Sequence, residues 1–147
     1  MRRFLVALPF CLAVSLTLLS CSKPYVGNKV SYDWQNLSRV VDGRPCFAKT
    51  KTFDFHFTVQ KTEEPDIYVM EGYAVYKGSG FWTKIEEPVF FFLPVKDGKI
   101  LDYISYIPQS NWLYERIPFR KTFSCPGGLD AVIMSYRLLV TDCDSPC

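Results

Sequence analysis

Phe53, Phe55, Phe57 and Val59 alternate without a break with Asp54, His56, Thr58 and Gln60. A period of two puts every second side chain on the same side of an extended chain, so this stretch reads as a strand with one buried face. Composition extends the argument to the rest of the chain. Beyond residue 20 there are 22 aromatic residues, eleven Val, seven Ile and seven Thr, against only seven Leu and three Ala. β-Branched and aromatic side chains fit a pleated surface and lose rotamer freedom in a helix. The predicted fold class is therefore all-β.

Turn chemistry divides the chain into further strands. Lys61 to Asp66 is a polar turn, and Ile67 to Lys77 returns with a bend or bulge expected at Glu71-Gly72, where alternation breaks. Lys77 to Gly80 is a turn, and Phe81 to Glu86 reads as a short strand. Val89 to Val95 and Lys99 to Ile107 flank Lys96-Asp97-Gly98, the strongest hairpin signal present, because a tight turn needs positive φ. Phe119 to Cys125 and Asp130 to Thr141 are expected to pair across Pro126-Gly127-Gly128. Val89-Phe90-Phe91-Phe92-Leu93 is apolar on both faces and reads as covered on both. Seven strands with mostly short turns predict an antiparallel β-sandwich over residues 46–147, of immunoglobulin-like or transthyretin-like shape. A small barrel is the rival and calls for about eight regular strands. Residues 21–45 read as a tether, loosened by Pro24 and Gly27, followed by an ambiguous segment from 31 that covers one end of the domain or forms a short helix.

The N-terminus has its own pattern. Arg2-Arg3 precede an apolar run from Phe4 to Leu19, too short to cross a membrane as a helix and shaped like an export signal. Leu18-Leu19-Ser20-Cys21 closes that run and resembles, position by position, the lipobox of bacterial lipoproteins. The resemblance implies a signal peptide over residues 1–20 and Cys21 as the mature first residue, carrying diacylglycerol and often an acylated amine. Stable anchoring takes two acyl chains, which a diacylated Cys supplies. The protein is then expected to be held to the bacterial cell membrane, with the bilayer as its first partner. Ser22 and Lys23, rather than Asp, follow the lipidated Cys; by the same resemblance this leans toward the periplasmic face of the outer membrane in a Gram-negative source.

Cysteine parity fits this reading. Of six Cys, Cys11 leaves with the signal and Cys21 is taken by lipid, leaving Cys46, Cys125, Cys143 and Cys147 as disulfide candidates. Four Cys allow three connectivities. A hairpin across Pro126-Gly127-Gly128 sets Cys125 tens of Å from Cys143 at about 3.3 Å per residue, against the roughly 4.4–6.8 Å a bridge spans. Cys46–Cys125 with Cys143–Cys147 is the favoured pattern.

The mature chain carries 15 Lys and Arg against 15 Asp and Glu, without the positive excess that nucleic-acid binding calls for. His56 is the single His, with Asp54 on the same face; no Ser in a nucleophile-elbow context accompanies them, and a solvated strand face explains the pair. Calcium-loop, phosphate-loop and dinucleotide patterns are absent, and Cys143 and Cys147 form a close-spaced pair without the second pair a Cys₄ metal site needs, so neither catalysis nor a cofactor is expected. The loop from Pro108 to Pro118 holds Trp112, Leu113, Tyr114 and Arg116, residue types that anchor protein interfaces, and is the expected partner-binding segment. The reading that results is a non-catalytic interaction module of the cell envelope, binding another envelope protein. Its alternative is an apolar small-molecule carrier or sensor with a cavity lined by aromatics.

Overall fold

The alternating run becomes a strand at the centre of the fold, with Phe53, Phe55 and Val59 wholly buried. The computed structural model describes Lys23 and residues 25–77, 85–108 and 116–140, and within them the chain forms nine strands and no helix. These are β1 (Leu37–Arg39), β2 (Pro45–Lys49), β3 (Phe53–Lys61), β4 (Ile67–Tyr76), β5 (Ile85–Lys96), β6 (Lys99–Ile100), β7 (Ile104–Tyr106), β8 (Arg116–Ser124) and β9 (Ala131–Val140). They build two antiparallel sheets packed as a β-sandwich: a four-stranded sheet in the order β2-β3-β4-β8, and a five-stranded sheet in the order β1-β9-β5-β6 with β7 also on β5.

Aromatic rings fill the space between the sheets. Phe90 meets Phe53 and Phe55 edge to face at 5.3 and 5.2 Å between centroids, and Phe92 lies 5.2 Å from Phe119. Edge-to-face pairs add about 0.5–1.5 kcal/mol each beyond the area they bury. Val132 and Met134 join this core, and Tyr136 and Leu138 pack at its margin, as the alternation of β9 predicts.

Asp97-Gly98 makes the expected turn, with φ of 49° and 70°, between Lys96 and Lys99. The Asp130 carboxylate fixes it, accepting the Asp97 N–H at 2.8 Å and the Lys96 ammonium at 2.9 Å. The return strand differs from expectation in breaking into β6 and β7. Pro94 accepts the Leu101 N–H at 2.8 Å but has no N–H to give back, so the ladder lapses there.

Three other expectations are corrected. β3 and β4 pair one to one from Phe53–Tyr76 to Lys61–Tyr68, so the break in alternation at Glu71-Gly72 is not a bulge. Gly72 occupies an inward position where a Cβ would stand 2.1 Å from the His56 carbonyl oxygen and 2.6 Å from the Phe57 Cα, leaving no room for a side chain. Next, β8 and β9 do not form a hairpin: β8 pairs with β4 and β9 with β5 and β1, so Pro126-Gly127-Gly128 carries the chain from one sheet to the other. The third correction concerns residues 21–45. Where described, this segment is neither a free tether nor a helix. The Gly27 and Val30 N–H groups donate to the carbonyls of Ile100 and Gly98 at 2.8 and 2.9 Å, and β1 is an edge strand on β9. The segment lies as a strap on the outer face of the five-stranded sheet, where Val30 packs against Leu93, Val95, Ile100 and Ile133. That is the cover on the second face of the apolar run at Val89–Leu93.

The Lys96 ammonium, followed by the Asp97 N–H, holds the Asp130 carboxyl below its ordinary 3.8. A carboxyl lowered on folding adds stability above its unfolded value and loses it as pH falls through the folded one. Asp130→Asn is therefore expected to lower the melting temperature by a few degrees at pH 7 and to leave it unchanged below the carboxylate range, as read by melting curves across pH.

Candidate functional site

The outer face of the four-stranded sheet carries three side-chain rows fixed by strand register. Lys49, Asp54, Val75 and Arg116 form the first; Phe47, His56, Tyr73 and Pro118 the second; Pro45, Thr58, Glu71 and Arg120 the third. The middle row is a ladder of rings. Phe47 lies 4.7 Å from His56, and His56 stacks on Tyr73 at 5.0 Å with 16° between planes. Each end is closed by a cation: Lys49 sits over Phe47 at 5.4 Å and Arg116 over Tyr73 at 4.9 Å. Cross-strand aromatic neighbours and cation–ring contacts of this kind contribute about 0.5–1 kcal/mol each at an exposed site. Phe47 nevertheless remains 41% exposed.

Charge beside the ladder is mixed. Arg120 approaches Glu71 at 3.8 Å, and Lys77 meets Asp54 at 3.0 Å. The Asp54 carboxylate is thus engaged by Lys77 rather than by His56, whose ring is enclosed by Phe47 and Tyr73. A groove of about 750 Å³ runs over this surface past His56, Thr58, Glu71, Tyr73 and Arg120. β8 borders it as an edge strand, bearing Pro118 together with Arg116, Arg120 and Lys121. Proline and charge on an edge discourage strand-to-strand addition, so side chains are what this face offers.

Of the residues expected to bind a partner, Arg116 stands at the end of this ladder; Trp112, Leu113 and Tyr114 lie outside the described residues. Cys21, Cys143 and Cys147 also lie outside them. The expected Cys46–Cys125 bridge does not form: both are buried free thiols. Cys46 is on the β2 edge, in register with Phe57, Gly72 and Phe119, whereas Cys125 follows β8 at the opposite edge. Three strand spacings separate those edges, about 14 Å, and Cys125 is a further six residues along. The Cys46 Sγ points to the carbonyls of Arg39 and Arg44, each at 3.6 Å, and the Cys125 Sγ to that of Gly128 at 3.1 Å. Burial pushes both thiols above 9.0, which keeps them protonated and unreactive at neutral pH.

Phe47, Lys49 and Tyr73 were not legible as a group in the sequence. Each occupies an outward position on its own strand, but only the register between strands sets them side by side. Comparison with known protein families, with curated proteins and with solved structures finds no match.

Gly72 adjoins the ladder, next to Tyr73 on β4 and against the backbone of His56 and Phe57 on β3. Gly72→Ala is expected to cost about 3 kcal/mol through overpacking against the β3 backbone. Glu71→Ala, on the exposed side of the same strand, should stay within about 0.5 kcal/mol. Denaturant titration compares the two.

Proposed function

We propose that the protein is a lipid-anchored lipoprotein of the bacterial cell envelope whose β-sandwich is a non-catalytic interaction module. Its partner surface is the outer face of the four-stranded sheet, and its partner is another envelope protein. The observation that carries this reading is the Phe47–His56–Tyr73 ladder with Arg116 at its end. Aromatic residues and Arg concentrate binding energy at interfaces, and here rigid strands set them on a solvent-facing surface rather than in the core. The register supports specificity as well, because rows of both charge signs flank the rings and would reject a partner of the wrong pattern.

Two features weigh against the carrier alternative in its original form. Phe53, Phe55, Phe90 and Phe92 fill the space between the sheets, each no more than 1% exposed. The described cleft of about 820 Å³ lies on the outer side of the five-stranded sheet, lined by Phe91, Leu93, Ile133 and the strap.

The anchor supports the envelope reading independently. Lys23, two residues after Cys21, is already docked on the domain through its 2.5 Å ion pair with Asp102. A lipid on Cys21 would therefore hold the sandwich against the membrane surface with no spacer.

The anchor and the surface are tested separately. Cys21→Ala should abolish acylation and release the protein from membranes; a variant that still partitions fully with membranes overturns the lipobox reading. A photo-crosslinking residue at Thr58 should trap one defined envelope protein in cells. Tyr73→Ala or Arg116→Ala should reduce that adduct about tenfold or more. Equal yield from a probe at Lys51, or indifference to Tyr73→Ala, overturns the assignment of the surface.

A further inference from the structure

The strap does not seal the face it covers. Between it and the five-stranded sheet lies a second cleft, of about 820 Å³. One wall is a run of stacked rings: Phe91 lies 4.8 Å from Tyr103 at 24°, and Tyr103 lies 6.0 Å from Tyr25. Trp34 lines it from the strap, and its two charged lining residues are the cations Lys29 and Arg137, with no carboxylate among the rest.

Three observations bear on what fills it. First, Arg137 stands in register with Val89, on the outer face that Phe91 and Leu93 share, and has no ion pair among the described residues. Second, Tyr25, Val26, Tyr32 and Trp34 are each 40% or more exposed, so four of the seven exposed large apolar side chains described fall within ten residues of the strap. Tyr and Trp with flanking Lys and Arg are the composition of a membrane–water interface. Tyr25 keeps its place with φ of 74°, a left-handed conformation that costs an aromatic residue about 1–2 kcal/mol. Third, the chain leading to the cleft is short. Lys23 is two positions from Cys21, at most about 7 Å of extended chain, and Tyr25 is already a lining residue.

We propose that this cleft is a phospholipid site, holding one anionic lipid of the membrane to which Cys21 is attached. Arg137 takes the phosphate, and the ring wall of Tyr25, Tyr103 and Phe91 faces the glycerol and the first acyl carbons. The placement at a membrane rests on the lipid-anchor reading of Cys21; the lipid chemistry rests on the cleft alone.

The test uses the unacylated mature chain, residues 21–147 with Cys21→Ser. Both core clusters and the residues packed on them lie at Val30 and beyond, so the fold keeps its contacts without the signal. Sedimentation with vesicles of phosphatidylcholine, with and without one quarter phosphatidylglycerol, should show binding to the anionic vesicles only. Arg137→Gln should weaken it about fivefold. Lys51→Gln, the same charge change away from the cleft, should have no such effect. Trp34→Ala should weaken binding while the melting temperature stays within a few degrees of the parent. Absence of anionic binding, equal binding to neutral vesicles, or a Lys51→Gln loss matching that of Arg137→Gln overturns the proposal. Because no acyl group takes part, the result is independent of Cys21→Ala in cells, and a failed anchor can be told from a failed site.

Discussion

The contact between Phe90 on β5 and the pair Phe53 and Phe55 on β3 is the joint on which the structure depends. It is made edge to face, so each ring presents its positive rim to a negative face while still shedding water. Three buried rings at this point join the two sheets, and Phe92–Phe119 and Phe53–Tyr136 continue the contact to either side. Once the inner faces are committed to one another, each sheet has one outer face left, and the two outer faces develop differently. One keeps its own side chains and lines up rings between cations. The other is apolar and borrows the N-terminal segment as cover.

That division explains which parts of the fold could be read from residue order. A single strand announces itself by alternation, and β3 and β9 did so at Phe53–Val59 and Val132–Leu138. The hairpin at Asp97-Gly98 announced itself through backbone need, since both turn residues adopt positive φ. Pairing between strands distant in sequence left no local mark. Pro126-Gly127-Gly128 looks the same whether it reverses a strand within one sheet or passes the chain to the other, and only the partners of β8 and β9 distinguish the two. The mistaken hairpin discounted Cys125–Cys143 and so favoured Cys46–Cys125, and local sequence could not reveal that three strand spacings set those two thiols apart.

Gly72 and the strap teach a related lesson. A lapse in alternation suggested an extra residue in β4, whereas the cause was a missing side chain: the β3 backbone comes so close that glycine is the residue that fits. Pro24 and Gly27 suggested a flexible leader, yet a leader needs no Tyr25, Tyr32 or Trp34. Those rings were the available sign that the segment has a surface to meet. Its clamp is electrostatic at one end. Burial pushes the Asp102 carboxyl up, but the Lys23 ammonium and the Tyr103 N–H outweigh it and hold the group below 3.8. The strap is thus fastened by charge at Lys23 and by backbone hydrogen bonds farther along.

The position of β9 has a consequence for how such a chain is made. β2, β3 and β4 are neighbours both in sequence and in their sheet, and can assemble as they emerge. The five-stranded sheet is completed later, because β9, the last strand among the described residues, lies between β1 and β5. Pairings this distant in sequence are slow to close. Until β9 arrives the strap has no complete floor, since Ile133 supplies part of it. The strap can take its backbone bonds to Gly98 and Ile100 before then, but its apolar floor is complete only after β9 has paired with β5 and β1.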